Sequence, residues 1–360
     1  MTQLRTIQVL GGGSAGSSAH VRSLASGLVE RGVRVTVCAA PELDHAYDFV
    51  GAGARFVPTP RHGGPATVAA LRNLAIGADV VHAHGLDASV RAALALSGGG
   101  PRLPLVTTWH TRGRPAGARA GLVRLLERRT VRAAAVVLGT SSELVDRARR
   151  RGARDARLAP VTVPASHAPV CLHDGKARAE LGAVARPLIM AVGALQPGRG
   201  YGMLLDAARV WRDLDPQPLL VIAGEGPQRA ALQRRIEAER LPVRLIGRRE
   251  DVAELLAAAD VAVLPSRWEA RSLLAQEALR LGVPLVATAV GGVPELVGDA
   301  AELVPYGDAE ALAGVVRELL DDAERRMDLA AAGRVQARTW PTEDETIAHV
   351  LSVYDELAGR

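Results

Sequence analysis

Short apolar runs alternate along the chain with longer segments in which apolar positions return at helical spacing. That rhythm is the mark of parallel α/β units, in which each strand is followed by a helix that crosses back over the sheet. In the first half it predicts strands over residues 6–10, 34–39, 80–83, 105–109 and 134–138, with a helix over about 19–30. The last of these strands leads into Thr140-Ser141-Ser142, where a serine N-cap would open another helix. Between about 164 and 186 the rhythm lapses into a mixed polar stretch with Pro164 and Pro169, which reads as an inter-domain connection. It then restarts, with strands predicted over 187–192, 219–223, 243–246, 261–264 and 285–287. Each of these stops at a glycine or proline, where backbone can come close to a ligand. Open parallel sheets bind ligands beyond the carboxyl ends of their strands. The fold class expected is therefore α/β, with two facing Rossmann-like domains and a central cleft. The boundaries expected are 1–165 for the first domain, 166–338 for the second and 339–360 for a C-terminal helix. That helix carries Ile347, Val350, Leu351, Val353, Tyr354 and Leu357 on one face.

Composition narrows the picture. A chain of 360 residues suits two domains, and 48% hydrophobic residues allow each to bury a core. The formal charge of +5 comes almost wholly from arginine, Lys176 being the only lysine, and favours anionic partners. Nucleic acid is not expected among them. Aromatics are 3% of the chain, too few for base-stacking platforms, and no zinc-finger, helix-turn-helix or basic-zipper spacing occurs. Cys38 and Cys171 lie far apart and read as buried or inert rather than bonded. The first residues lack the long apolar core of a signal peptide, and no run of ~18 apolar residues could span a membrane. A cytoplasmic enzyme is the expectation.

The segment that carries chemistry runs from Pro265-Ser266 to Glu269 and on to Glu277, and is followed by Gly282-Val283-Pro284. Eight helical residues advance ~12 Å and return to nearly the same face, so two carboxylates at this spacing can line one long ligand such as a nucleotide sugar. A helix amino terminus between them would offer N–H groups and a positive dipole end to a diphosphate. Glu-x7-Glu alone is common and also describes a solvated surface helix. The strand before it and Gly291-Gly292-Val293-Pro294-Glu295 after it favour the functional reading.

With these residues the chain resembles the retaining glycosyltransferases of family 4 (glycosyltransferase group 1), which have the GT-B fold. The resemblance extends over nearly the whole chain and keeps the family's order of motifs. It takes in Gly11-Gly12-Gly13, Val81-His82-Ala83-His84-Gly85, Thr108-Trp109-His110, Gly193 to Gly200, Gly224-Glu225-Gly226-Pro227, the glutamate pair and Gly291 to Glu295. It implies that Glu277 binds the donor ribose and Glu269 the transferred sugar. The backbone N–H groups of Ser272, Leu273 and Leu274 would meet sugar or phosphate. Gly12 and Gly13 would let the first domain approach the diphosphate, and His110 would lie beside the reacting sugar. Gly224, Gly247 and Arg248 join the donor-binding set, and the C-terminal helix would cross back to the first domain. Such enzymes retain anomeric configuration by front-face displacement, need no divalent ion and take a nucleotide diphosphate sugar, most often a UDP-sugar. No cofactor or metal site is implied.

Three positions depart from the family pattern. Ala194 stands where an arginine is usual and Arg199 where a lysine is, which leaves Arg199 as the expected cation for the leaving diphosphate, with Arg248 or Arg249 as substitutes. Ala270 replaces a usual glycine. Several other features take the bland reading. Asp213-Leu214-Asp215 fits a helix-to-strand turn better than a metal-binding DxD, since it lies away from any strand's carboxyl end. Gly11 to Gly16 is neither a Walker A loop nor a GxGxxG fingerprint. His82 and His84 alternate along a strand with only Asp87 nearby, so no metal site is expected there. His110 alone could be structural; its place at a strand end favours function. The stretch 119–132 holds Arg119, Arg124, Arg128, Arg129 and Arg132 among leucines and valines. It reads as a surface helix, and such a stretch also suits peripheral contact with an anionic membrane at the inner face. The acceptor, a hydroxyl on a sugar, lipid or small molecule, would be held by first-domain loops such as 44–64. The rival functions are a nucleotide-sugar-binding partner protein with weak or no catalysis and a sugar-nucleotide epimerase of similar fold.

Overall fold

The computed structural model describes residues 3–11, 15–60, 64–97, 103–112, 118–161 and 174–359. The chain divides into two compact units, Met1–Pro164 with Pro341–Arg360, and Ala165–Trp340.

The first unit has a parallel sheet in the order β3-β2-β1-β4-β5-β6-β7, with β1 Arg5–Leu10, β2 Arg34–Ala39, β3 Arg55–Pro58, β4 Val80–His84, β5 Leu105–Trp109, β6 Val136–Gly139 and β7 Ala156–Leu158. The crossovers are α1 Ala15–Glu30, α2 Pro41–Tyr47, α3 Pro65–Ala75, α4 Leu86–Leu96, α5 Ala118–Ala133 and α6 Ser142–Arg150. The second unit has a parallel sheet in the order β10-β9-β8-β11-β12-β13, with β8 Leu188–Val192, β9 Leu219–Ala223, β10 Val243–Gly247, β11 Val261–Leu264, β12 Leu285–Thr288 and β13 Glu302–Val304. Its helices are α7 Asp174–Leu181, α8 Tyr201–Trp211, α9 Arg229–Ala238, α10 Val252–Ala257, α11 Leu273–Leu281, α12 Val293–Val297, α13 Ala309–Asp321 and α14 Ala323–Arg338. The last helix, α15 Glu343–Ala358, belongs to the first unit.

The continuous apolar strands follow from burial on both faces. Leu188 and Met190 enter one core of the second unit, while their neighbours Ile189 and Ala191 enter the other. Strand side chains alternate, so a sheet covered by helices on both sides needs apolar residues at every position. Some of the helix starts are marked by side-chain caps. Asp308 accepts from the Ala311 N–H, Asp322 from the Arg325 N–H, and Thr342 forms a reciprocal capping box with Glu345. The serine cap expected before α6 is corrected: Ser141 holds the N-cap position, but its Oγ is buried and makes no hydrogen bond among the described residues. The stretch 44–64 is not a simple loop, because it includes the end of α2 and all of β3. The presumed connection over 164–186 contains α7.

The helix α15 is a packed part of the first core, with Ile347, Val350, Val353 and Tyr354 buried beside Leu24 and Leu28 of α1. Gly27 makes the approach of α1 and α15 possible, since a Cβ there would sit 2.2 Å from Ile347 Cδ1. Ser23 pairs with Glu343, and Arg31 with Asp344, along the same seam.

Candidate active site

A ligand crevice in an open parallel sheet forms where strand order reverses. In the second unit that point lies between β8 and β11. The loops beyond five strands are tied together there by backbone hydrogen bonds, in the order of the sheet. Gly224 N–H donates to Gly247 C=O at 2.7 Å, and Leu195 N–H donates to Glu225 C=O at 2.9 Å. Arg267 N–H donates to Gly198 C=O at 2.8 Å, and Gly292 N–H donates to Glu269 C=O at 2.9 Å. Glycines permit the close approaches of these loops. A Cβ on Gly200, whose φ is +75°, would lie 1.7 Å from the Pro265 carbonyl oxygen, and one on Gly224 would lie 2.0 Å from that of Gly193.

This frame brings Arg199 and Glu269 into contact across the crevice, their side chains forming an ion pair. Ser266 Oγ donates to the same carboxylate oxygen at 2.9 Å, and Thr288 Oγ1 holds the Ser266 carbonyl at 2.5 Å. Burial pushes the Glu269 carboxyl above its ordinary range, while Arg199 and Ser266 hold it down. Arg199, the cation expected for the leaving diphosphate, pairs with Glu269 in this structure. Glu269 itself lies in the loop three residues before the N-cap Ser272, rather than on the helix. Ser272 Oγ accepts from the Ala275 N–H at 3.3 Å, and Leu273 and Leu274 are the first helical residues, whose N–H groups have no acceptor within the helix. Glu277 is half-buried on α11 and makes no ion pair among the described residues; burial raises its carboxyl, against the pull of Arg280.

The remaining predicted donor residues take varied places. Gly224 and Gly247 serve the backbone ties already described. Arg248 is exposed just beyond β10 and makes no ion pair among the described residues, whereas Arg249 is bound to Asp251. Ala194 N–H neighbours the tie at Leu195, and Ala270 is buried in the loop before Ser272. Asp213 and Asp215 lie in the turn between α8 and β9. Sequence reading placed Ser266 and Arg267 in the chemistry-bearing segment without giving either a role, and it missed Thr288 altogether.

In the first unit the reversal falls between β1 and β4. Gly11 lies against the start of α4, where a Cβ would be 2.9 Å from Asp87 Oδ2. Gly12 and Gly13 lie outside the described residues. His110 follows β5 and is half-buried, with its Nε2 3.3 Å from His84 Nδ1. The His20 ring packs edge-on to both, with centroids 5.9 Å from His84 and 5.5 Å from His110. Burial, then neighbouring histidines, push His84 and His110 well below the ordinary imidazole value, and burial takes His20 down to about 4. Beneath them His84 Nε2 is 3.0 Å from Gln8 Oε1, and His82 bridges Tyr354 and Thr108 at 2.6 Å each. Among the described residues no three His, Cys, Asp or Glu side chains are placed to hold a metal ion.

A profile of the glycosyl transferase 4-like domain matches residues 15–164, and one of the glycosyl transferases group 1 matches residues 175–336. A GDP-mannose-dependent monoacylated alpha-(1-6)-phosphatidylinositol monomannoside mannosyltransferase of Corynebacterium glutamicum is 33% identical over 46% of this chain and 47% of its own length. The chain thus spans about half the length of the curated relatives it first matches. A D-inositol 3-phosphate glycosyltransferase of Xylanimonas cellulosilytica is 32% identical over 72% of this chain and 67% of its own. Among solved structures, Anabaena HepE in complex with UDP superposes with a TM-score of 0.80 at 19% identity, covering 99% of this chain and 100% of that one. With two abutting profiles, a relative aligned over both units and a shared two-sheet architecture, the chain belongs to the family 4 (group 1) glycosyltransferases of GT-B fold.

Proposed function

We propose that the protein is a retaining, metal-independent glycosyltransferase that moves a sugar from a nucleotide diphosphate sugar, a UDP-sugar first among them, to a hydroxyl acceptor. The observation that carries this reading is the Arg199–Glu269–Ser266 cluster beside the open N–H groups of α11. Glu269 would accept from the transferred sugar's hydroxyls, Glu277 from the ribose, and the helix start would take diphosphate charge, joined by Arg199 and Arg248. His110 would touch the transferred sugar. The acceptor oxygen bonds to the anomeric carbon as its bond to the phosphate oxygen breaks, and the acceptor's proton passes to that leaving oxygen.

A panel of UDP- and GDP-sugars, each with and without hydroxyl acceptors, tests the reading. Transfer is expected to survive EDTA, and product NMR is expected to show the donor's anomeric configuration. Donor conversion without acceptor would make the protein an epimerase; binding without turnover would make it a partner protein; rescue by Mn²⁺ after EDTA would overturn metal independence.

The reading extends to a cytoplasmic enzyme that touches the anionic inner face of the membrane. No described helix is long and apolar enough to cross a bilayer. On α5, however, Leu122 and Leu125 are 57% and 49% exposed, flanked by exposed Arg119, Arg124, Arg128, Arg129 and Arg132. None of these arginines makes an ion pair among the described residues, and such a face suits acidic headgroups. The lipid acceptor named for the Corynebacterium relative supports the same idea. The protein should sediment with vesicles containing phosphatidylglycerol and remain free with phosphatidylcholine alone; equal behaviour with both would refute the contact.

A further inference from the structure

Buried polar groups in the first unit form a continuous chain from α15 to His110. Tyr354 Oη is 2.6 Å from His82 Nδ1 and 3.0 Å from Gln8 Nε2. Gln8 Nε2 also lies 3.3 Å from Thr6 Oγ1, and Gln8 Oε1 lies 3.0 Å from His84 Nε2. His84 Nδ1 then faces His110 Nε2 at 3.3 Å. Gln8, His82 and Tyr354 are fully buried, so each polar atom must find its partner within the chain.

The placement of the Gln8 amide assigns the protons: its nitrogen lies toward Tyr354 Oη and Thr6 Oγ1, and its oxygen toward His84 Nε2. An amide nitrogen only donates, so the phenol accepts from Gln8 and gives its own hydrogen to His82 Nδ1. His82 then carries its hydrogen on Nε2 and donates it to Thr108 Oγ1. An amide oxygen only accepts, so His84 carries its hydrogen on Nε2. Burial keeps His84 neutral, so its Nδ1 is a bare acceptor, and His110 must carry its own hydrogen on Nε2.

We infer that Tyr354, Gln8 and His84 are positioning residues that fix the tautomer of His110, leaving its Nδ1 as an unprotonated acceptor for a substrate hydroxyl. The inference rests on the reading of His110 as a group that touches the transferred sugar. No net proton transfer is involved; the chain holds one ring in one state. A sugar hydroxyl donating to Nδ1 would find an acceptor already in place, at no cost of tautomer exchange.

Long-range proton–nitrogen NMR of the full chain with labelled histidine reads the tautomer directly, apart from activity. At neutral pH, His110 is expected to show a pyridine-like Nδ1 and a protonated Nε2. A protonated Nδ1, or an imidazolium, would overturn the inference even if the enzyme transfers sugar well. If the tautomer is as expected and no sugar is transferred to any acceptor, the functional reading fails and the tautomer assignment alone stands. His84→Leu removes the acceptor and should mix the His110 tautomers, lowering kcat/KM by about 10-fold, the worth of one hydrogen bond to the sugar. His84→Asn can accept through its amide oxygen and should restore most of the loss. Should the leucine variant fail to fold, Tyr354→Phe carries the test: it frees the Gln8 amide to turn and should mix the same tautomers. A single unchanged His110 tautomer in Tyr354→Phe, with unaltered kcat/KM, would overturn the inference.

Discussion

Glu269→Gln is expected to lower kcat/KM for transfer by about 100- to 1000-fold, the scale of removing one preorganised charged partner from a reacting centre. The substitution keeps the shape of the side chain but removes the charge that Arg199 and Ser266 both contact. Arg199 then loses its anchor, so the effect exceeds that of one lost sugar contact. Measured rates within threefold of the parent would remove Glu269 from the reaction. The same pair sets a pH dependence. Burial raises the Glu269 carboxyl above its ordinary value, so it protonates on acidification sooner than an exposed glutamate would. Activity that needs the carboxylate is therefore complete at high pH and lost as pH falls through that raised value. Arg199→Ala deletes an influence that holds the carboxyl down, so the acid limb of the rate profile should move to higher pH. An unmoved or lowered limb would show that Arg199 does not govern this carboxylate.

Gly200→Ala is expected to be the most damaging single-methyl change in the second unit. The left-handed backbone at this position costs a residue with a Cβ about 1–3 kcal/mol, before any clash. The added carbon would also meet the Pro265 carbonyl oxygen at 1.7 Å, so the loops after β8 and β11 must part. A loss of several degrees in Tm is expected, with about 2–4 °C for each kcal/mol in a unit of this size. Gly202→Ala, two residues on, is the control. That glycine is exposed inside α8 with open space around it, so alanine should leave Tm unchanged or raise it. Equal effects of the two substitutions would show that the loop contact does not matter.

The parts of this fold that could be read from the sequence are those whose burial is uniform. Leu219–Ala223 and Val261–Leu264 are wholly apolar because helices cover both faces of the sheet. The strands missed were Arg55–Pro58, Ala156–Leu158 and Glu302–Val304, all at sheet edges. An edge strand is half solvated, short and free to carry Arg55, Arg157 or Glu302, so it leaves no apolar run to recognise. The site divides in the same way. Glu269, Glu277, Arg199 and His110 stand out locally, beside strand ends and glycines. The ion pair between positions 199 and 269 has no local signature, because only the strand order brings those loops together. Gln8 gave the least warning of all: a polar residue inside a strand reads as solvent-facing, whereas here it lies fully buried against Tyr354, 346 positions away.

The seating of α15 in the first unit has a consequence for how the chain acquires its shape during translation. Domains tend to fold in order of synthesis as they leave the ribosome. Here residues 165–340 lie between the two pieces of the first unit, so the second unit is fully synthesised before α15 exists. Until then the seam around Leu24, Gly27 and Leu28 lacks its cover, and His82 lacks its phenol partner. The nascent first unit therefore waits with an exposed apolar groove, and the unit begun first is the one finished last.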